Sequence, residues 1–89
     1  MRDRYLEITF RKGKPLAAYL YLSRASGVQS LRTEPRGAGL LVDFGPGDQP
    51  IGVEITAPTH TTAAQINEVL SSLDLSPMAE EELLPLKAA

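Results

Sequence analysis

Three ionisable residues are placed where acid/base or metal chemistry would need them. Asp43 and Glu54 lie on two apolar stretches joined by a Gly/Pro/Asp turn, and His60 is the only histidine. A carboxylate pair can transfer protons or hold a hard cation, and a histidine can serve as general base or as a single ligand. A triad also needs an orienting acid and a nucleophile, and no cysteine is available as nucleophile or thiolate ligand. Asp43 and Glu54 are expected as ordinary solvent-facing strand carboxylates, and His60 as a surface-loop residue. The glycine pairs Gly37-x-Gly39 and Gly45-x-Gly47 lack both the GxGxxG extension and a following Lys-Ser/Thr. They read as turn glycines rather than phosphate loops.

The elements that carry the carboxylates are legible. Leu40-Leu41-Val42-Asp43-Phe44 and Ile51-Gly52-Val53-Glu54-Ile55 alternate as two strands of a hairpin. Leu40, Val42 and Phe44 share one face of the first strand; Ile51, Val53 and Ile55 share one face of the second. A loop centred on Gly47-Asp48 puts both triplets on one side of the sheet, with Phe44 opposite Ile51 and Leu41 opposite Glu54. Centring it one residue later would set Asp43 directly against Glu54, and like charges placed directly opposite are destabilising. The first register is expected, with the carboxylates diagonal to one another.

Before the hairpin, Tyr5–Arg11 alternates as a half-buried strand with Leu6, Ile8 and Phe10 inward. A turn at 12–15 leads to a second strand over 16–23. Leu16, Ala18, Leu20 and Leu22 line one of its faces, and Ala17, Tyr19 and Tyr21 the other. A loop follows at 23–27. Residues 28–34 form a weak, polar strand ended by Pro35, an edge candidate, and 36–39 turn the chain into the hairpin. After Ile55 the period changes. Thr62-x-x-Gln65 matches a helix capping box, and Ile66, Val69, Leu70 and Leu73 form one helical stripe. A shorter helix is expected from Ser76 as N-cap and Pro77 at N1, carrying Glu80, Glu81 and Glu82 in its first turns and ending before Pro85.

The fold class is therefore α+β. An antiparallel sheet of four to five strands, a β-meander over 1–57, is covered by one or two C-terminal helices within 61–86, all in one domain of 89 residues. The expected facing set is Leu6, Ile8, Phe10, Leu20, Leu22, Val42, Phe44, Val53 and Ile55 against the helical stripe.

The strand order, the Ala-Tyr-Leu-Tyr-Leu strand and the hairpin Val42-Asp43 through Gly52-Val53-Glu54-Ile55 resemble the bacterial DUF2283 family over residues 5–57. That family's pattern is a hydrophobic-Val-Asp, Asp-Gly turn, Val-Gly-Ile-Glu-Ile hairpin after a Leu-Tyr-Ile-x-Leu strand. The chain departs from it at Lys14-Pro15-Leu16, where an acidic residue is common, and at Gly47-Asp48, which replaces Asp-Gly. Its helical tail is also longer. The resemblance implies a small bacterial protein of uncharacterised role, with a partner of the toxin-antitoxin type.

Composition narrows the function classes. Without cysteines the chain has no disulfides, which fits a cytoplasmic setting. No apolar run reaches the ~18 residues of a membrane span, and no apolar stretch follows Arg2-Asp3-Arg4, so no signal peptide is expected. Net charge is −2 but unevenly spread: residues 1–36 hold eight basic against three acidic residues, and both later segments are acidic. Tyr19 and Tyr21, with Arg11 and Arg32 nearby, could stack bases, yet the aromatic pattern of a nucleic-acid sheet platform is missing and the chain is acidic.

These features point to a non-enzymatic protein-interaction or assembly module. It would be a homo-oligomer or one member of a two-protein pair, with Ala17, Tyr19, Tyr21 and Leu41 as the interface, because that face is too apolar for water. No catalytic residue, cofactor or metal site is assigned. The alternative is a small metal-dependent or acid/base enzyme using Asp43, Glu54 and His60. A third reading is nucleic-acid binding through the basic N-terminal half.

Overall fold

Strict alternation makes strands of the first two segments, and a Lys12-Gly13 turn joins them. The computed structural model describes residues 4–22, 27–37 and 39–87. Strand β1 runs Tyr5–Arg11 and β2 Lys14–Tyr21. Both turn residues have positive φ, 53° at Lys12 and 77° at Gly13, the twist that suits a two-residue hairpin. β3 is Arg32–Pro35, β4 Leu40–Phe44 and β5 Pro50–Ile55. Residues 23–26 of the loop expected at 23–27, and Ala38 of the turn before β4, lie outside the described residues.

The strands form one antiparallel sheet in the order β1-β2-β5-β4-β3. The β-meander expectation is thereby corrected: β5 inserts between β2 and β4, and the chain crosses to the far edge between β2 and β3. The physical reason is polarity. β5 contributes Ile51, Val53 and Ile55, each no more than 1% exposed, and belongs at the centre. Arg32-Thr33-Glu34-Pro35 includes a proline that cannot donate to a ladder, so β3 takes an edge, as expected.

The hairpin register is the one expected through Leu41↔Glu54 and Val42↔Val53, but a bulge after Asp43 pairs Phe44 with Pro50 instead of Ile51. The loop is longer than two residues. Pro46–Asp48 winds a 3-10 turn, closed by the Gly45 N–H donating to the Gln49 carbonyl at 2.8 Å. A second bulge between Thr9 and Phe10 leaves Leu16 of β2 unpaired, and Phe10 lies beyond the stretch of β2 that pairs with β5; it is 54% exposed, so its expected place in the facing set is corrected.

Helix α1, Ala63–Ser72, begins at the expected capping box: the Gln65 N–H donates to the Thr62 hydroxyl, and the Gln65 side chain accepts from the Thr62 N–H. Ile66, Val69 and Leu70 bury against Ala18, Leu20, Leu40, Val42, Val53 and Ile55, with Leu6, Ile8 and Leu73 at the margin. The expected start at Ser76 is not where the second helix begins. Asn67 grips Met78 through two hydrogen bonds, accepting from its N–H at 2.8 Å and donating to its carbonyl at 3.1 Å. That grip holds the backbone out of a helix there, and the Met78 side chain enters the core, 4% exposed. A 3-10 turn follows at Glu80–Leu83, with Glu82 accepting from the Ala79 N–H, and it runs into α2, Leu84–Lys87. Pro85 sits in the first turn of α2 rather than beyond its end, a position where a missing N–H costs nothing. Leu83 and Leu86 join the same core as α1. Both helices therefore cover one face of the sheet.

Candidate functional site

The opposite face collects the residues that alternate away from the helices. On β1 these are Tyr5 and Glu7; on β2, Ala17, Tyr19 and Tyr21; on β5, Gly52 and Glu54; on β4, Leu41 and Asp43; on β3, Thr33. All four residues expected at an interface, Ala17, Tyr19, Tyr21 and Leu41, lie here and are half-buried.

Tyrosines organise this face. Tyr5 and Tyr21 stack with centroids 4.4 Å apart and planes at 13°, and Tyr19 meets Tyr21 edge-on at 4.7 Å and 66°. Aromatic pairs of these geometries add stability beyond area alone. The Tyr21 hydroxyl donates to Glu7 at 3.1 Å. The Tyr19 hydroxyl donates to Asp43 Oδ2 at 2.7 Å, and the Thr33 hydroxyl to Asp43 Oδ1 at 2.5 Å.

Asp43 is therefore not the solvent-facing carboxylate expected. It is 8% exposed, the one buried charged residue among those described. Hydroxyls from two other strands close over it, and hydrogen bonds to a carboxylate offset part of its lost hydration. Gly52 makes this possible: a side chain there would overlap the Tyr19 ring and hydroxyl. A glycine inside a strand often marks a close approach of this kind, and it was the sequence signal for the Tyr19–Asp43 bond.

Glu54 is half-buried and diagonal to Asp43, as the register requires. Burial, and secondly the charge of Asp43, push its carboxyl above the ordinary glutamate range. Its carboxylate has no hydrogen bond or ion pair among the described residues.

His60 ends a 3-10 turn at Pro58–His60, exposed. Among the described residues, no three His, Cys, Asp or Glu side chains gather where they could hold a metal ion. Arg32 does not join the tyrosines. Its guanidinium lies 4.1 Å from the Phe44 ring centroid, on the helix side of β3, and is bonded to Glu34 at 2.7 Å and Asp48 at 3.2 Å. Arg36 bonds Glu34 at 2.8 Å and also reaches Ser72 of α1. Hydrogen bonds from Arg32, then Arg36, hold the Glu34 carboxyl below its ordinary range. Arg4 donates to the Ser76 and Pro77 carbonyls. The described basic residues of that half are thus divided: Arg32 and Arg36 are paired with acids, Arg4 ties down the C-terminal segment, and Arg11, Lys12 and Lys14 stand at the β1–β2 turn.

A cleft of about 340 Å³ lies between α1 and the turn into β4, lined by Arg36, Leu40, Gln65, Glu68, Val69 and Ser72 among others. It is open and carries both signs of charge. No helix among the described residues is long and apolar enough to cross a membrane. Comparison with protein-family models, with curated proteins and with solved structures gives no match.

Proposed function

We propose that this chain is a non-enzymatic protein-interaction module whose contact surface is the tyrosine face of its sheet. One observation carries the reading. Both helices and the Met78 segment bury a single face, while the other carries three tyrosines in mutual ring contact, with Leu41, around a carboxylate drawn below the surface. Tyrosine supplies large contact area at low entropic cost and is enriched where proteins meet. The Tyr19–Asp43–Thr33 network fixes the rings before any partner arrives, and preorganisation of this kind lowers the entropic cost of association. An enzyme built on Asp43, Glu54 and His60 is disfavoured, because Asp43 is occupied by two hydroxyl donors.

The test is capture from the native cell with the parent and with Tyr19→Lys/Tyr21→Lys, both first shown to melt cooperatively. Proteins held by the parent and released by the variant support the reading. Equal capture by both overturns it, as does no capture by either when the parent also shows no self-association.

A further inference from the structure

Two surfaces of this molecule carry opposite charge, and among the described residues neither is ion-paired from within. β5 pairs with β2 only from Ala18 to Tyr21. The β1–β2 hairpin therefore projects beyond the sheet from Thr9 to Ala17, its strands paired only with each other. This arm carries Arg11, Lys12 and Lys14 and no acidic residue. None of the three has a hydrogen bond or ion pair among the described residues. Phe10 and Leu16 on the same arm are 54% and 53% exposed. The tyrosine face holds Glu7, Asp43 and Glu54 and no basic residue at its centre. Its middle carboxylate, Glu54, lacks any hydrogen-bond donor among the described residues.

We infer that the basic arm of one copy docks on the tyrosine face of a second copy, head to tail. The inference rests on the reading of that face as an interaction surface and names its occupant. Arg11, Lys12 and Lys14 would supply the charge that Glu7 and Glu54 lack, tyrosine ring faces attract cations, and Phe10 and Leu16 would leave water. A symmetric sheet-on-sheet dimer is the poorer arrangement, since it would set Glu7 and Glu54 of one copy against the same residues of the other, and like charges across an interface are costly. A head-to-tail contact leaves one free arm and one free face on every assembly, so it extends with concentration or closes into a ring. An arm this narrow buries little area, and contacts below about 1,200 Å² in total are weak. The association is therefore expected at high protein concentration and low salt.

Sedimentation velocity of the full chain tests this. The parent should gain mass with concentration at low salt. Raising salt from about 0.01 M to 1 M shortens the screening length from ~30 to ~3 Å and should weaken the association by about tenfold or more. Lys12→Glu/Lys14→Glu and Glu7→Lys/Glu54→Gln should each be monomeric alone. Mixed in equal amounts they should form a 1:1 dimer that grows no further, because the intact arm of one meets the intact face of the other. If the face variant fails to fold, the salt dependence of the parent and the loss of mass in the arm variant decide. A dimer that survives Lys12→Glu/Lys14→Glu overturns the inference and leaves the face reading standing. So does a parent that stays monomeric while capturing another protein through Tyr19 and Tyr21, or one whose arm binds anionic lipid vesicles without self-association. A parent that neither associates nor shows face-dependent capture overturns both.

Discussion

The Tyr19 hydroxyl of β2 passes over Gly52 of β5 and donates to Asp43 of β4, so one side chain ties together three strands. A central strand without a side chain at that position is what lets the bond form.

Gly52→Ala isolates this relationship. In an ordinary strand the change is favourable by roughly 0.5–1 kcal/mol. Here the new methyl must displace Tyr19, leaving Asp43 short of a donor, which costs about 1–3 kcal/mol. Denaturant unfolding should show net destabilisation in the parent background and none when Tyr19 is already alanine. Equal effects in both backgrounds would contradict the geometry.

Asn67→Ala should loosen the end of the chain first. Met78 loses partners for both its N–H and its carbonyl, a loss of about 1–3 kcal/mol. Hydrogen exchange should show faster exchange across 78–87 and little change in β5. Uniform loss of protection would mean that the segment does not open on its own.

Glu54 makes stability depend on pH. Its folded-state pKa is raised, so the folded state binds the proton more tightly than the unfolded chain. That contribution is present below the ordinary glutamate pKa and is lost as pH rises through the folded value. Glu54→Gln should therefore melt higher than the parent at pH 7, and the gap should close as pH falls. A variant less stable than the parent at neutral pH would show that Glu54 is compensated.

A core position and an arm position give a contrasting pair of variants. Val53→Asp places an unpaired charge at a position 0% exposed and should cost several kcal/mol, enough to unfold the domain. Phe10→Asp, on the projecting arm, should leave the melting temperature within a few degrees. Circular dichroism melts distinguish them, and a reversed order would mean that the bulge after Thr9 is misplaced.

What was legible followed from local rules. The capping box at Thr62 and Gln65, the edge position of β3 and the Leu41–Glu54 register each depend on a few neighbouring residues. The misplaced features depend on distant ones. Phe44 left its expected pairing with Ile51 because a bulge answers to the turn beside it, and Phe10 left the facing set because β1 and β2 run on past the end of β5; alternation encodes neither. Ser76-Pro77 has the composition of a helix start, but Asn67, on another element, holds Met78 extended. Local sequence makes Asp43 look exposed because its two donors come from β2 and β3, and Tyr19 is within reach only once β5 is known to separate β2 from β4. Ala17, Tyr19, Tyr21 and Leu41 were legible as one face; the acids among them and the basic arm became a pair of surfaces only with the sheet order in place.

Hydroxyl-radical footprinting across protein concentration tests the contact surface most directly. The tyrosine face as interface predicts that Tyr19, Tyr21 and Leu41 lose reactivity as concentration rises, together with Phe10 and Leu16. Leu84, 53% exposed on α2 and outside both surfaces, should keep its reactivity. Protection at Leu84 with the tyrosines unchanged would contradict the account.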